Sequence, residues 1–129
     1  MPDYYSKHFK KSEFACRCGK CKYSTDPEIS RELIVALEMI RSFCKSKNPK
    51  AYISITSGRR CREYNASIKN AAKNSKHIYG VACDFMTPHV KTSEVFRYID
   101  TLFPQEFGLS LYSNPNRIHL DVRKGRGRW

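Results

Sequence analysis

The stretch from residue 74 to residue 85 most constrains how this chain can fold and what it can bind, because it carries two side chains of the kind that bind metals, His77 and Asp84. A second fragment, residues 117–122, carries His119 among alternating apolar residues. Two histidines and one carboxylate suit zinc, and three protein ligands leave the fourth position to water, as is typical of catalytic zinc. If the fold brings the two fragments together, they can hold one zinc ion.

The alternation of side chains along a strand places these residues. Along residues 117–122, Arg117, His119 and Asp121 share one face, and the apolar residues between them face the core. Asp84 lies in an apolar strand, where a carboxylate is costly unless it is paired or binds a metal. Spacing alone leaves an alternative open, in which His77 is a surface turn residue and Asp84 forms a salt bridge with one of the many cations.

Length and charge limit the class of protein. The chain has 129 residues, which predicts one domain. It has 24 Lys+Arg against 12 Asp+Glu, a formal net charge of +12 that favours polyanionic partners such as nucleic acid, an anionic cell wall or a membrane surface. No apolar run approaches the roughly 20 residues of a membrane span. Residues 1–11 lack the apolar region of a signal peptide.

Hydrophobic periodicity predicts a mixture of helices and strands. An apolar stripe at helical spacing follows Thr25, a predicted N-cap with Glu28 as its capping-box partner, and this helix ends before Pro49. The other predicted elements are helices over 62–72 and 92–103, strands over 51–56, 79–86, 107–112 and 117–122, and a turn over 113–116. An arm and a cysteine-rich loop over 1–24 precede them, and a basic tail over 123–129 follows. The order predicts an α+β domain with helices packed on a small, mainly antiparallel sheet.

Three of the six cysteines are bunched in the order Cys16-x-Cys18-x-x-Cys21. This spacing is metal-like, but three ligands do not close a structural zinc site. A second, structural Zn²⁺ would therefore need Cys61 or Cys44 as its fourth ligand. Reduced thiols, or a disulfide to a distant partner, are the alternatives.

The order Ser75-x-His77-x-x-Gly80-x-Ala82-x-Asp84 resembles the ten-residue signature of zinc D-Ala-D-Ala carboxypeptidases and the related phage endolysins. The resemblance spans residues 7–129 and includes the segments 13–19, 56–60, 63–65, 118–123 and 126–129. It implies the hedgehog/D-Ala-D-Ala-peptidase fold, an α+β domain. It also implies a short branch in which residues 1–129 form a single zinc peptidase domain.

The resemblance also implies roles for individual residues. His77, Asp84 and His119 would bind one catalytic Zn²⁺. Arg60 matches an arginine that steadies the substrate carboxylate or the developing oxyanion, and Ser75 matches a position near the metal that supports substrate binding. Arg59 stands where the family has a tyrosine, so some substrate contacts must differ.

Amide hydrolysis at such a site needs a general base, and relatives of this fold place an acid a few residues before the last histidine. The corresponding positions 115–117 are Pro, Asn and Arg, which leaves Asp121 as the best remaining base. Two other interpretations of Asp121 stay open: an acceptor that orients a histidine ligand, or a partner for Arg117 or Arg123. Glu63 and Glu106 are more remote options.

The resemblance makes a peptidase of bacterial peptidoglycan, expected to be a monomer, the leading functional hypothesis. The net charge suits it, because a basic protein is attracted to anionic cell-wall polymers. Without a signal peptide, we expect release from the cytoplasm by a partner, as for a phage lysin. The second hypothesis is a non-catalytic zinc module of the same fold, as in hedgehog signalling domains. The third, a nucleic-acid-binding protein, has basic segments in its favour but no recognisable motif.

Overall fold

The computed structural model describes residues 3–113 and 115–129, within which the chain forms three α-helices and seven β-strands. The helices are α1 (Arg31–Lys47), α2 (Arg62–Ser67) and α3 (Thr92–Leu102). The strands are β1 (Tyr4–Ser6), β2 (Phe9–Lys10), β3 (Ser54–Ser57), β4 (Ala82–Met86), β5 (Gly108–Tyr112), β6 (Arg117–Asp121) and β7 (Gly127–Arg128). Short 3₁₀ helices cover Lys11–Phe14, Lys22–Ser24 and Lys76–Tyr79. Met1 and Pro2 of the predicted arm, and Asn114 of the predicted turn, lie outside the described residues.

Five strands form the main sheet in the order β3-β4-β6-β5-β7, and β1 pairs with β2 in a separate hairpin. All neighbours in the main sheet are antiparallel except β5 and β7, which are parallel. The predicted α+β class with a small, mainly antiparallel sheet is therefore confirmed. No helix within the described ranges combines the length and apolar character needed to cross a membrane.

One hydrophobic core joins α1, α3 and one face of the sheet. The predicted stripe of α1 supplies buried side chains that include Leu33, Leu37 and Ile40. From the two central strands, the core takes Cys83, Phe85, Ile118 and Leu120. The predicted alternation is confirmed, because the intervening residues of β4 and β6 face away from this core. The polar face of the two central strands is consequently free to form a site.

The predicted start of the first helix at Thr25 is wrong, because α1 begins at Arg31. Glu28 has a φ of 54°, which is outside the helical region. The carbonyls of Pro27 and Glu28 each accept a hydrogen bond of 3.0 Å from Nη1 of Arg59. A buried arginine about 30 residues later in the chain therefore holds this segment in a non-helical path, which local propensity could not show.

Among the described residues, both terminal segments form more regular structure than the sequence predicted. The arm folds back as the β1–β2 hairpin, and the basic tail contributes β7 beside β5. Arg128 anchors the tail, with Nη1 donating to the carbonyl of Phe107 at 2.6 Å and Nε donating to Asp100 at 2.8 Å. The predicted helix over 62–72 is also too long, since α2 ends at Ser67.

Candidate metal centre

The pairing of β4 with β6 places Asp84 directly opposite His119 on the polar face of the sheet. Nδ1 of His119 lies 2.9 Å from Oδ1 of Asp84, and Nε2 of His77 lies 3.3 Å from the same oxygen. One ligand atom from each side chain lies within 4.8 Å of the others, and all three residues are buried. The structure therefore brings together the three residues that the sequence nominated from separate elements.

The hydrogen bonds of the two histidines leave the correct nitrogens free for a metal. Nδ1 of His77 lies 2.7 Å from the carbonyl oxygen of Gly58, an acceptor that requires the proton on Nδ1. Nε2 of His119 lies 2.8 Å from Oδ2 of Asp121, which likewise places a proton on Nε2. Nε2 of His77 and Nδ1 of His119 then face the Asp84 carboxylate, where each nitrogen can share a proton with the carboxylate or, once deprotonated, offer a lone pair to a metal. Outer partners of this kind commonly orient histidine ligands of zinc, so the donor set fits such an ion.

Local backbone geometry sets the position of His77. Ser75 caps the Lys76–Tyr79 turn, with its Oγ accepting a 3.2 Å hydrogen bond from the backbone N–H of His77. Gly80 ends the turn with a φ of 73°, which glycine adopts without strain. A Cβ at this position would lie 2.4 Å from the carbonyl oxygen of Glu28. The glycine of the motif is therefore required both by conformation and by close packing.

The charges of the site favour a cation between the ligands. Burial opposes ionisation of Asp84, but hydrogen bonds from His119 and His77 outweigh it and hold the pKa of Asp84 well below its usual range. Burial also opposes protonation of His119, yet the hydrogen bonds to Asp121 and Asp84 raise the pKa of His119. A positive charge is thus stabilised at Nδ1 of His119, where a proton and a metal ion would compete.

Arg60 extends the polar cluster toward solvent. Its Nη2 lies 3.6 Å from Oδ2 of Asp84, Nη1 donates to Oδ1 of Asn65 at 3.2 Å, and Nε donates to Oγ of Ser57 at 3.3 Å. Burial lowers the pKa of Arg60, while the neighbouring Asp84 opposes that shift. The guanidinium is therefore held in a fixed orientation at the rim of the three ligands.

The cluster opens into a cavity of about 660 Å³. Its lining includes the five residues His77, Asp84, His119, Arg60 and Ser75. Cations from several elements also line it: Lys69, Lys76, Arg117 and Arg123. Among the described residues that line this cavity, Asp84 is the one with a carboxylate side chain. The cavity therefore suits an anionic or carboxylate-bearing molecule.

Asp121 lies behind His119 rather than in the cavity lining. Its side chain is fully buried, and Arg123 donates to it from Nε and Nη2 at 2.7 Å each. Burial opposes its ionisation, but Arg123 and His119 hold the pKa of Asp121 well below its usual range. These contacts correspond to the two interpretations left open, an acceptor that orients His119 and a partner of Arg123. They do not favour the expected general base, which must reach substrate or water.

The two remote alternatives for the base lie away from the cavity. Glu63 lines a separate hollow beside Cys61, and Glu106 is exposed on the connection before β5.

Arg59 is buried against the Pro27–Glu28 segment, with its guanidinium carbon 3.7 Å from the ring centroid of Tyr23. This replacement of the family's tyrosine therefore serves packing in this chain.

Sequence reasoning missed two aromatic residues at the cavity. Tyr112, at the end of β5, lines it, and so does Trp129, whose ring centroid lies 5.2 Å from that of His119. Trp129 also lies 4.9 Å from the Arg123 guanidinium. The available signal was a lone tryptophan in an otherwise basic tail, but only the pairing of β7 with β5 brings it to the metal centre.

A second group of ligand-type side chains lies elsewhere. The Sγ atoms of Cys16, Cys18, Cys21 and Cys61 all lie within 4.8 Å of one another, and these cysteines are free thiols. Cys44 is buried in the core on α1 and lies outside this group, so Cys61 is the fourth member.

The comparison with protein-family models agrees with this arrangement. The model described as Peptidase M15 matches residues 7–121, a span that contains the three candidate metal ligands, Arg60 and Asp121. The comparison with curated proteins returned no match, and neither did the comparison with solved structures. The α+β architecture is compatible with the family, and the match covers most of the chain. The chain therefore belongs to the peptidase M15 family of zinc-dependent metallopeptidases.

Proposed function

We propose that the chain, as a single domain over residues 1–129, hydrolyses an amide bond in the stem peptides or cross-links of bacterial peptidoglycan, as an endolysin or a D-Ala-D-Ala carboxypeptidase does. The observation that carries the proposal is the convergence of two free imidazole nitrogens and a carboxylate beneath Arg60, in a cavity rich in cations. The resemblance of residues 75–84 to the carboxypeptidase signature supports the substrate class.

In this proposal His77, Asp84 and His119 hold one catalytic Zn²⁺. When bound, such an ion polarises a carbonyl and lowers the pKa of its water to about 7 in favourable sites. The carbonyl of Gly58 and the carboxylate of Asp121 keep the two imidazoles in the tautomers that present Nε2 and Nδ1.

Arg60 binds the substrate in this proposal. A guanidinium offers paired N–H donors to a carboxylate or to a developing oxyanion. Ser75 lines the same cavity while its Oγ accepts the backbone N–H of His77, so it supports both substrate binding and ligand position. Tyr112 and Trp129 add an aromatic wall that excludes water from one side.

Proton transfer is the step in which the expected and observed geometries differ. Asp121 would have to break its contacts with His119 and Arg123 to act as a base, so we assign it to orienting His119. Asp84 is a ligand of the ion in this proposal, so it does not serve as the base. We assign the positioning of water and the leaving amine to the hydroxyl of Tyr112 and the guanidinium of Arg60, two of the polar groups that line the cavity.

The test is zinc-dependent release of amines and stem peptides from purified peptidoglycan. Wild-type protein should release them, the activity should disappear with a chelator and return with zinc, and His119→Ala should abolish it. The matched control is His89→Asn, which changes an exposed histidine; asparagine tolerates the positive φ of 75° at that position.

Three other outcomes would contradict the proposal. Tight zinc binding without any release would support a non-catalytic zinc module. The cavity lining favours this alternative in one respect, because Asp84 is its one carboxylate side chain among the described residues and no second carboxylate side chain lines it as a general base. Binding to DNA with a steep salt dependence and no wall activity would support a nucleic-acid-binding protein. Cleavage of ordinary L-peptides but not of peptidoglycan would retain the peptidase and refute the substrate.

A further inference from the structure

We infer that Cys16, Cys18, Cys21 and Cys61 form a second metal site, a closed tetrathiolate site of the kind that structural zinc occupies. The site would join the cysteine-rich loop to the segment that carries Arg60. It is separate from the His77–Asp84–His119 cluster and does not depend on the proposed peptidase activity.

The first observation is that the fold completes the ligand set. Three cysteines come from one loop, and Cys61 arrives from the end of the segment after β3, more than forty positions along the chain from Cys16. Tetrahedral zinc with Zn–S bonds of about 2.3 Å places its sulfurs about 3.8 Å apart. The Sγ atoms of Cys61 and Cys18 are 4.0 Å apart, and all four sulfurs lie within 4.8 Å of one another. Small shifts would therefore close a tetrahedron.

The second observation is that polar hydrogens already point at the sulfurs. Backbone N–H groups donate to Cys16 from Cys61 at 3.4 Å, and to Cys61 from Tyr64 at 3.4 Å. The N–H of Lys20 donates to Cys18 at 3.5 Å. Donors of this type stabilise metal-bound thiolates, and outer contacts of this kind tune metal sites. Neutral thiols in a simple hydrophobic cluster would not need them.

The third observation is charge. Four thiolates around one divalent ion carry two net negative charges, which must be balanced or solvated. The hollow beside these cysteines is lined by Lys20 and Arg62, which can balance that charge, and by Glu63, which adds one negative charge. By contrast, Cys44 and Cys83, the two cysteines outside the group, are fully buried among core residues.

The site would position Arg60 through the backbone. Cys61 directly follows Arg60, whose N–H donates to the carbonyl of His77 at 3.1 Å, while the N–H of Arg59 donates to the carbonyl of Phe14 at 2.9 Å. A metal bound to Cys61 would therefore fix the backbone of Arg60, the residue whose guanidinium lines the cavity. Binding would release thiol protons and couple metal affinity to folding.

The test uses the full chain with its histidine site disabled by His77→Ala and His119→Ala. This variant should still bind one zinc ion per chain after purification under reducing conditions, measured by metal analysis. Replacement with cobalt should give an intense thiolate-to-metal charge-transfer absorption and the visible bands of a tetrahedral site. Cys44→Ala should leave both unchanged, whereas Cys18→Ser with Cys21→Ser should remove both.

A second variant guards against a simple failure to fold. Cys21→His preserves four ligands and should retain the metal with a weaker charge-transfer band, since one thiolate is replaced by imidazole. Amide hydrogen exchange over residues 57–61 should be slow with the metal and faster after its removal. Absence of metal from the histidine-deficient protein, a cobalt spectrum without thiolate bands, or disulfides in freshly purified reduced protein would each overturn the inference.

Discussion

Oδ2 of Asp121 lies 2.8 Å from Nε2 of His119, two residues earlier on the same strand. The contact arises because alternate residues of β6 share one face of the sheet. The opposite nitrogen of the same ring lies 2.9 Å from Asp84 on the neighbouring strand. Two buried carboxylates therefore bracket one imidazole, and they have different roles: Asp84 faces the cavity, whereas Asp121 faces Arg123.

The first prediction separates an orienting role of Asp121 from a general base. Asp121→Asn should weaken zinc binding about 10–100-fold, the usual effect of losing an outer partner of a histidine ligand. Activity should recover largely when zinc is saturating, because the amide oxygen of asparagine can still accept the Nε2 proton. Zinc affinity by chelator competition and kcat at saturating zinc are the two measurements.

Asp100→Asn is the control for Asp121, since Asp100 pairs with Arg126 and Arg128 away from the cavity. It should leave zinc affinity unchanged. A fall in kcat that persists at saturating zinc, with normal zinc affinity, would restore Asp121 as the base.

The second prediction concerns Arg60, whose guanidinium lies 3.6 Å from Asp84. Arg60→Lys keeps the charge but loses the planar fork, so kcat/KM should fall about 10²–10³-fold while zinc content stays unchanged. Steady-state kinetics with a stem peptide, together with metal analysis, measure the two effects. Arg41→Lys on α1 is the control, and an equal loss in that variant would contradict a specific role for Arg60.

The sequence predicted the centre of the fold because two simple periodicities are strong there. The period of α1 identified its core face, and the period of two put His119 on the polar face of its strand and Asp84 on the same face as Ala82 and Met86. These assignments depend only on the spacing of apolar residues within one helix or strand, which the sequence shows directly. The meeting of His77, Asp84 and His119 rested on the resemblance, since spacing alone left it open.

What the sequence did not predict depends on contacts between distant segments. The start of α1 was misplaced because Arg59 holds the carbonyls of Pro27 and Glu28 from another part of the chain. The choice of Cys61 over Cys44 required the three-dimensional path. Trp129 reached the cavity through a strand too short to show a period.

The third prediction concerns pH and the contact between the N-terminal hairpin and α1. Burial raises the pKa of Glu38, but hydrogen bonds from Ser6 and His8 outweigh it, so the folded-state pKa is depressed. The contribution to stability is therefore full above the unfolded-state pKa of about 4.3 and is lost as pH falls through the folded-state value. Glu38→Gln should lower the unfolding midpoint in urea near pH 7.

The difference between wild type and Glu38→Gln should then shrink as the pH is lowered below about 4. Glu106→Gln, at an exposed position, is the matched control and should change neither quantity appreciably. A Glu38→Gln effect that stays constant down to acidic pH would assign the loss to packing rather than to the carboxylate.

The fourth prediction tests the packing of Gly80 against a matched glycine. Gly80 and Gly125 have φ values of 73° and 78°, so alanine is strained at both positions by about 1–2 kcal/mol. A Cβ at Gly80 would also lie 2.4 Å from the Glu28 carbonyl oxygen and 2.7 Å from Nη1 of Arg59, whereas nothing lies within 4 Å at Gly125. Overpacking should add about 1–3 kcal/mol to the cost of Gly80→Ala.

Urea unfolding of both variants measures the difference in stability. Zinc affinity should fall only in Gly80→Ala, because this glycine ends the turn that presents His77. Equal destabilisation by the two substitutions would show that the backbone conformation alone, and not the contact with Glu28 and Arg59, requires glycine at position 80.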